Sequence, residues 1–235
     1  MKTLLKLLLP LSIAASASAS TAYDVVAGFS GTANPNTPWS YYYDLASLTA
    51  YDPSTQSVPN CLGAGTQACW NDGLLVPDTA VIYANTTGST FTSGSTSIPN
   101  DYIGTDPESL GTEIQFAVPT TGNYSISGNF YGADTGENSH PVEIFDNSTM
   151  IFSGTVSTPG ATTTFSLSSL SLNAGDVIAF EVLTGTSGCT YCALSTGLQA
   201  DVTLNTSSSV PEPSSFLLAG GALAGALLRR VLRRT

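Results

Sequence analysis

The residues able to do chemistry in this chain are few and unevenly placed. Its single histidine, His140, sits in Gly136-Glu137-Asn138-Ser139-His140-Pro141, a turn ahead of a strand-like segment. Any Ser-His-Asp triad has to use it. Four cysteines fall as Cys61…Cys69 and Cys189-Thr190-Tyr191-Cys192, an even count in two loops. Short loops favour the local pairs Cys61–Cys69 and Cys189–Cys192, while a cross-pairing between the loops stays open. Carboxylates are plentiful, so a glycosidase-type acid pair also stays open, although no acid is singled out by its neighbours. The remaining candidates are aromatic: Trp39, Tyr41, Tyr43, Trp70, Tyr102, Tyr131 and Tyr191 have faces able to stack on pyranose C–H groups.

Among these, Trp70 stands beside Cys69 and is followed by Asn71 and Asp72, an aromatic face with an amide and a carboxylate next to it. This arrangement is expected to be exposed and to head the saccharide-binding set. In an extended stretch Tyr41 and Tyr43 share one face with Trp39. Trp39 is expected to fill the core, with Tyr41 and Tyr43 as further saccharide candidates. Asp176 and Asp201 are the candidates for a calcium ion, joined by Asp24 if the first and last strands adjoin. The alternative reading of Asp176 is that it shapes a Gly-Asp turn.

Charge limits the partners. All six cations, Lys2, Lys6, Arg229, Arg230, Arg233 and Arg234, lie at the two ends, and the formal net charge is −11. Between Leu7 and Leu228 there is no Lys or Arg. Such a surface repels phosphate backbones and anionic head groups, which excludes nucleic acid as a partner.

The elements that must position these residues are short strands. Asp24–Phe29, Thr79–Ala84, Thr112–Val118, Tyr124–Tyr131, Val142–Phe145, Met150–Val156, Thr163–Leu172, Val177–Leu183 and Leu198–Leu204 carry strand patterns. In one of them Ile114, Phe116 and Val118 share a face opposite Glu113 and Gln115. No amphipathic helical window intervenes, so the fold class is all-β, an antiparallel sandwich. Residues 30–75 have weak periodicity and read as long loops with one or two short strands.

The ends are delivery segments. Residues 1–22 pair two lysines with a short apolar stretch, and Ala17-Ser18-Ala19 and Ser20-Thr21-Ala22 both suit a signal peptidase. Export places the cysteines in an oxidising compartment. After a domain over 23–205 and a polar linker over 206–209 comes Val210-Pro211-Glu212-Pro213. An apolar run and Arg229, Arg230, Arg233 and Arg234 follow it. A single membrane helix over about 214–232 keeps the arginines cytoplasmic.

This tail over 210–235 closely resembles the PEP-CTERM sorting signal of Gram-negative bacteria. The resemblance implies recognition of the Pro-Glu-Pro by an exosortase, removal of the helix, transient residence in the inner membrane, and a setting of exopolysaccharide and biofilm. The domain also resembles jelly-roll β-sandwiches, through Asn34-Pro35-Asn36-Thr37-Pro38-Trp39-Ser40-Tyr41, Val118-Pro119-Thr120-Thr121-Gly122-Asn123-Tyr124 and Leu172-Asn173-Ala174-Gly175-Asp176. The expected role is carbohydrate binding without catalysis, at the cell surface or in the extracellular matrix. A structural or adhesive protein with no saccharide site is the second class, and a glycan-active enzyme the third.

The order of parts in the tail makes the first prediction. Mass spectrometry of the protein from its native host should find a C-terminus near Pro213. Recovery of an intact Arg233-Arg234-Thr235 end from the cell surface would contradict it.

Overall fold

The computed structural model describes residues 20–63, 66–73, 80–107, 110–135, 139–157, 159–184 and 195–206. Residues 1–19 of the expected signal segment, Cys189, Cys192, and the tail with Val210, Pro211, Glu212, Pro213 and its arginines lie outside them. So does the expected membrane helix. Thr21 and Ala22, at the end of the expected signal segment, belong to a strand. Among the described residues no helix is long and apolar enough to cross a membrane.

Ser20–Asn205 forms one compact unit made of strands. In chain order they are β1 (Thr21–Asp24), β2 (Trp39–Tyr43), β3 (Thr49–Ala50), β4 (Ser57–Val58), β5 (Cys69–Asn71) and β6 (Val81–Asn85). Then come β7 (Phe91–Ser93), β8 (Thr96–Ile98), β9 (Tyr102–Asp106), β10 (Thr112–Ala117) and β11 (Gly122–Gly132). The series ends with β12 (His140–Asp146), β13 (Thr149–Val156), β14 (Thr162–Leu172), β15 (Val177–Val182) and β16 (Thr196–Asn205).

Two antiparallel sheets pack face to face. The larger runs β14-β11-β16-β9-β6-β5-β4, with β1 also paired to β16; the smaller runs β13-β12-β15-β10-β2-β3. The hairpin β7–β8 stands apart from both. The fold class is therefore an all-β sandwich, as the alternating segments require.

Alternation decides what lies inside. Ile114 and Phe116 of β10, Ile126 and Phe130 of β11, and Leu198, Ala200 and Val202 of β16 are all buried in one apolar cluster. Trp39 and Tyr41 of β2 are buried in it too, with Tyr43 of the same face packed partly buried against it. Asp24 ends β1 early: the Ala27 N–H donates to its carboxylate at 2.6 Å and the Gly28 N–H to its carbonyl at 3.0 Å. The expected strand Asp24–Phe29 is thus a tight turn, which drops Val25, Val26 and Phe29 into the core.

Within residues 30–75 the chain is better ordered than its periodicity suggests. Asn34 replaces a missing strand neighbour, donating from Nδ2 to the Tyr41 carbonyl at 2.7 Å and accepting from the Tyr41 N–H at 3.0 Å. Aromatic rings then stack inward: Tyr41 and Tyr51 lie 6.1 and 5.9 Å from Trp70, and Tyr43 lies 4.8 Å from Tyr51.

The outer face of the smaller sheet carries a row of acids. Cross-strand register sets Tyr42, Glu113, Glu181, Glu143 and Ser153 side by side on β2, β10, β15, β12 and β13. Burial raises both the Glu113 and Glu181 carboxyls; for Glu181, which is pushed up to about 7, the charges of Glu113 and Glu143 add to it. Glu113 and Glu181 share a hydrogen bond, so the pair holds a proton where free carboxyls would not. This contribution to stability is complete below the ordinary carboxyl value near 4.3 and is lost as pH rises through about 7. His140 acts in the opposite direction: burial lowers it to about 4, so its contribution is complete above about 6.5 and is lost on acidification.

Net stability should decline between pH 6.5 and 8 by roughly 0.3 kcal/mol, the half-buried Glu181 carboxyl being discounted for solvent screening and the last of the His140 contribution offsetting part of its loss. Glu181→Gln should abolish that decline; superposable pH–melting curves for the two proteins would contradict the shared proton. Trp70→Ala should cost about 3–5 kcal/mol in denaturant unfolding, as for a large core aromatic, and near-native stability would show that the ring is not a core element.

Candidate functional site

Trp70 is not the exposed stacking residue expected from its neighbours. In β5 the alternation sends Cys69 and Asn71 to the outer face and turns Trp70 inward, where its exposure is 0%. Tyr41 is likewise inside at 0%, and Tyr43 is half-buried with its hydroxyl accepting from Gln56 Nε2 at 3.1 Å. Asn71 caps the Gly73 N–H at 2.8 Å, and the nearly buried Asp72 accepts from the Ala80 N–H at 3.0 Å. These five residues shape loops and core; the structure does not gather them on a binding face.

The disulfide Cys61–Cys69 is formed, with Cα atoms 5.6 Å apart, which rules out the cross-pairing for these two cysteines. Asp176 and Asp201 are carried by different sheets. Asp176 leads into β15, accepts from the Asn173 N–H at 2.7 Å and is lowered chiefly by that bond. Asp201 is held above the usual carboxylate range by burial and by the charge of Asp24, its register partner across β1 and β16. The first and last strands do adjoin, but no cluster of three or more metal-ligating side chains occurs among the described residues.

What the fold does gather is the outer face of the larger sheet. Tyr131, Gly197, Gly104 and Tyr83 stand in one cross-strand row on β11, β16, β9 and β6. The glycines let rings lie down on the sheet. A Cβ on Gly104 would meet the Tyr83 ring at 2.3 Å, and one on Gly197 would meet Tyr102 at 2.9 Å and Tyr131 at 3.2 Å. Tyr102 and Tyr131 are half-buried with ring centroids 5.6 Å apart. Beside them the Tyr102 hydroxyl donates to Asn129 Oδ1 at 2.9 Å, and Asn129 Nδ2 lies 3.5 Å from Gln199 Oε1. Two flat rings and two amides thus share one partly open surface.

At one end of this face is a cleft of about 200 Å³. Cys61 of the disulfide, Leu62 and Val81 line it together with Tyr83 and Phe91, whose rings meet edge to face at 6.3 Å. Ser93, Thr96, Asp106 and Ser195 supply the polar lining. The hairpin β7–β8 is held over the sheet by the Ser97 N–H to the Ala133 carbonyl at 2.7 Å and by Ser95 Oγ to Asp134 at 3.1 Å.

Ser195 Oγ donates to Asp106 at 3.2 Å and lies 2.9 Å from Thr96 Oγ1. His140 is not the third member of a triad there. It is bonded through Nε2 to Thr196, whose side chain leaves β16 on the opposite face, and its ring is 3% exposed. Sequence reasoning had named Tyr102 and Tyr131 among seven aromatics, with nothing to rank them. Their alternation with the buried Ile103 and Phe130 was the signal that they face outward.

Residues 209–234 match the PEP-CTERM protein-sorting motif. Among curated proteins no match to the chain is found. Solved structures similar to it include the K1 cleaved adhesin domain of Lys-gingipain from Porphyromonas gingivalis. Its TM-score is 0.40 at 10% identity, over 79% of this chain and 99% of that one. The K3 cleaved adhesin domain of the same protein gives 0.35 at 10%, over 44% and 74%. A family 35 carbohydrate-binding module from Clostridium thermocellum gives 0.32 at 17%, over 52% and 90%. Similarities this distant say nothing of a ligand. The chain carries a PEP-CTERM protein-sorting motif behind an antiparallel β-sandwich, and the motif marks it for export.

Proposed function

We propose that this is a non-enzymatic carbohydrate-binding protein, delivered through the inner membrane and cut by an exosortase at Pro211-Glu212-Pro213. It is then left at the cell surface or in the extracellular matrix, where it associates with exopolysaccharide. The observation that carries the saccharide reading is the Tyr102–Tyr131 pair with Asn129 and Gln199. The two half-buried rings lie beside a glycine floor with their planes tilted 55° to each other; pyranose C–H groups stack on aromatic faces while amides bind the ring hydroxyls. A partly open face of this kind suits a polymer chain better than an enclosed small molecule.

The sorting motif supports the location, since a chain marked for export meets its partners outside the cell. The lack of Lys and Arg between Leu7 and Leu228 supports an uncharged or basic polymer over a polyanion.

Glycan-array and pull-down measurements with the exported protein, including the producer's own polymer, test this reading. Tyr102→Ala and Tyr131→Ala should each weaken binding by about tenfold, the loss of roughly 1.4 kcal/mol. Met150→Ala, an exposed change on the other sheet, should leave it unchanged. No binding to any glycan would overturn the proposal in favour of a structural surface protein.

A further inference from the structure

The cleft beside the tyrosine face adds to the sugar-type rings and hydroxyls a carboxylate that also attracts positive charge. It sets the Phe91 ring and the edge of the largely buried Tyr83 near the Asp106 carboxylate, with the Ser93, Thr96 and Ser195 hydroxyls around it. Aromatic faces and a carboxylate are both attractive to a cation, and hydroxyl oxygens accept from an ammonium. No Lys or Arg occurs between Leu7 and Leu228, and His140 is buried against Thr196.

The position also matters. Tyr102, Gly104 and Asp106 lie on one face of β9, so the tyrosine pair and the carboxylate are roughly 13 Å apart along the strand. That is the length of a short oligosaccharide. We propose that the cleft is an ammonium site, and that the saccharide lying on Tyr102 and Tyr131 carries free amino groups, one of which is received by Asp106, Tyr83 and Phe91. This rests on the saccharide reading above and narrows it to amino-sugar polymers.

Isothermal titration of the exported protein with a β-linked glucosamine oligomer and with its fully N-acetylated counterpart tests it. High salt should be present, so that the general negative field of the chain is screened. The free-amine oligomer should bind about tenfold more tightly. Asp106→Asn should erase that preference, whereas Tyr131→Ala should weaken both oligomers alike. Asp52→Asn, at a fully exposed acid, should leave the preference unchanged. If Asp106→Asn does not fold, Phe91→Leu decides the matter by removing one aromatic face and with it most of the preference. Equal binding of the two oligomers, or a preference that survives in the folded cleft variants, overturns the ammonium site and leaves the saccharide reading standing. Binding of neither oligomer nor any other glycan removes both.

Discussion

The absence of any Lys or Arg between Leu7 and Leu228 is the constraint on which the rest of this structure depends. A folded unit rich in carboxylates has no internal ion pairs with which to settle them. Each acid must therefore be hydrated, bonded by a neutral donor, or kept protonated. The structure uses all three. Backbone N–H groups serve Asp24, Asp72 and Asp176, and serine hydroxyls serve Asp52, Asp106 and Asp134. Glu113 and Glu181 share a proton on the outer face of the smaller sheet.

With electrostatics unable to supply cohesion, packing has to do so. The interior is correspondingly aromatic: Trp39, Tyr41, Tyr51, Trp70, Tyr124, Phe116, Phe130 and Phe180 are all nearly or wholly buried. Rings of this size bury much area each, and offset or edge contacts between them add to it. A second, smaller cluster of Cys69, Tyr83, Ile98 and Ala133 sits on the other side of the larger sheet, beneath the hairpin. The cleft and the tyrosine face exist because that second cluster is too small to cover the sheet.

Several strands could be read from the sequence because one face of each is apolar and the other polar, as in Thr112–Ala117 and Thr196–Asn205. Residues 30–75 could not, since β3, β4 and β5 are two or three residues long and too short to show a period. Trp70 was misjudged for a related reason. A disulfide neighbour suggests a surface, and in a three-residue strand nothing local reveals that the next side chain points the other way. Tyr41 and Tyr43 were correctly set on one face with Trp39, but that face is the core. The cleft was invisible because Cys61, Tyr83, Phe91, Asp106 and Ser195 come from separate segments that only the sheet order brings together. The sorting tail lies at the opposite extreme: its meaning is in the linear order of its parts, and it was legible without any fold.

On the proposed reading the outer face of the larger sheet, and not the smaller sheet or the aromatic core, is the binding surface. Chemical-shift mapping by NMR while the exported protein is titrated with oligosaccharide tests it most directly. The amides of Tyr102, Asn129, Tyr131, Gly197 and Gln199 should move together and saturably, while those around Glu113, Glu143 and Glu181 stay fixed. Perturbations confined to the smaller sheet, or none anywhere at saturating oligosaccharide, would contradict it.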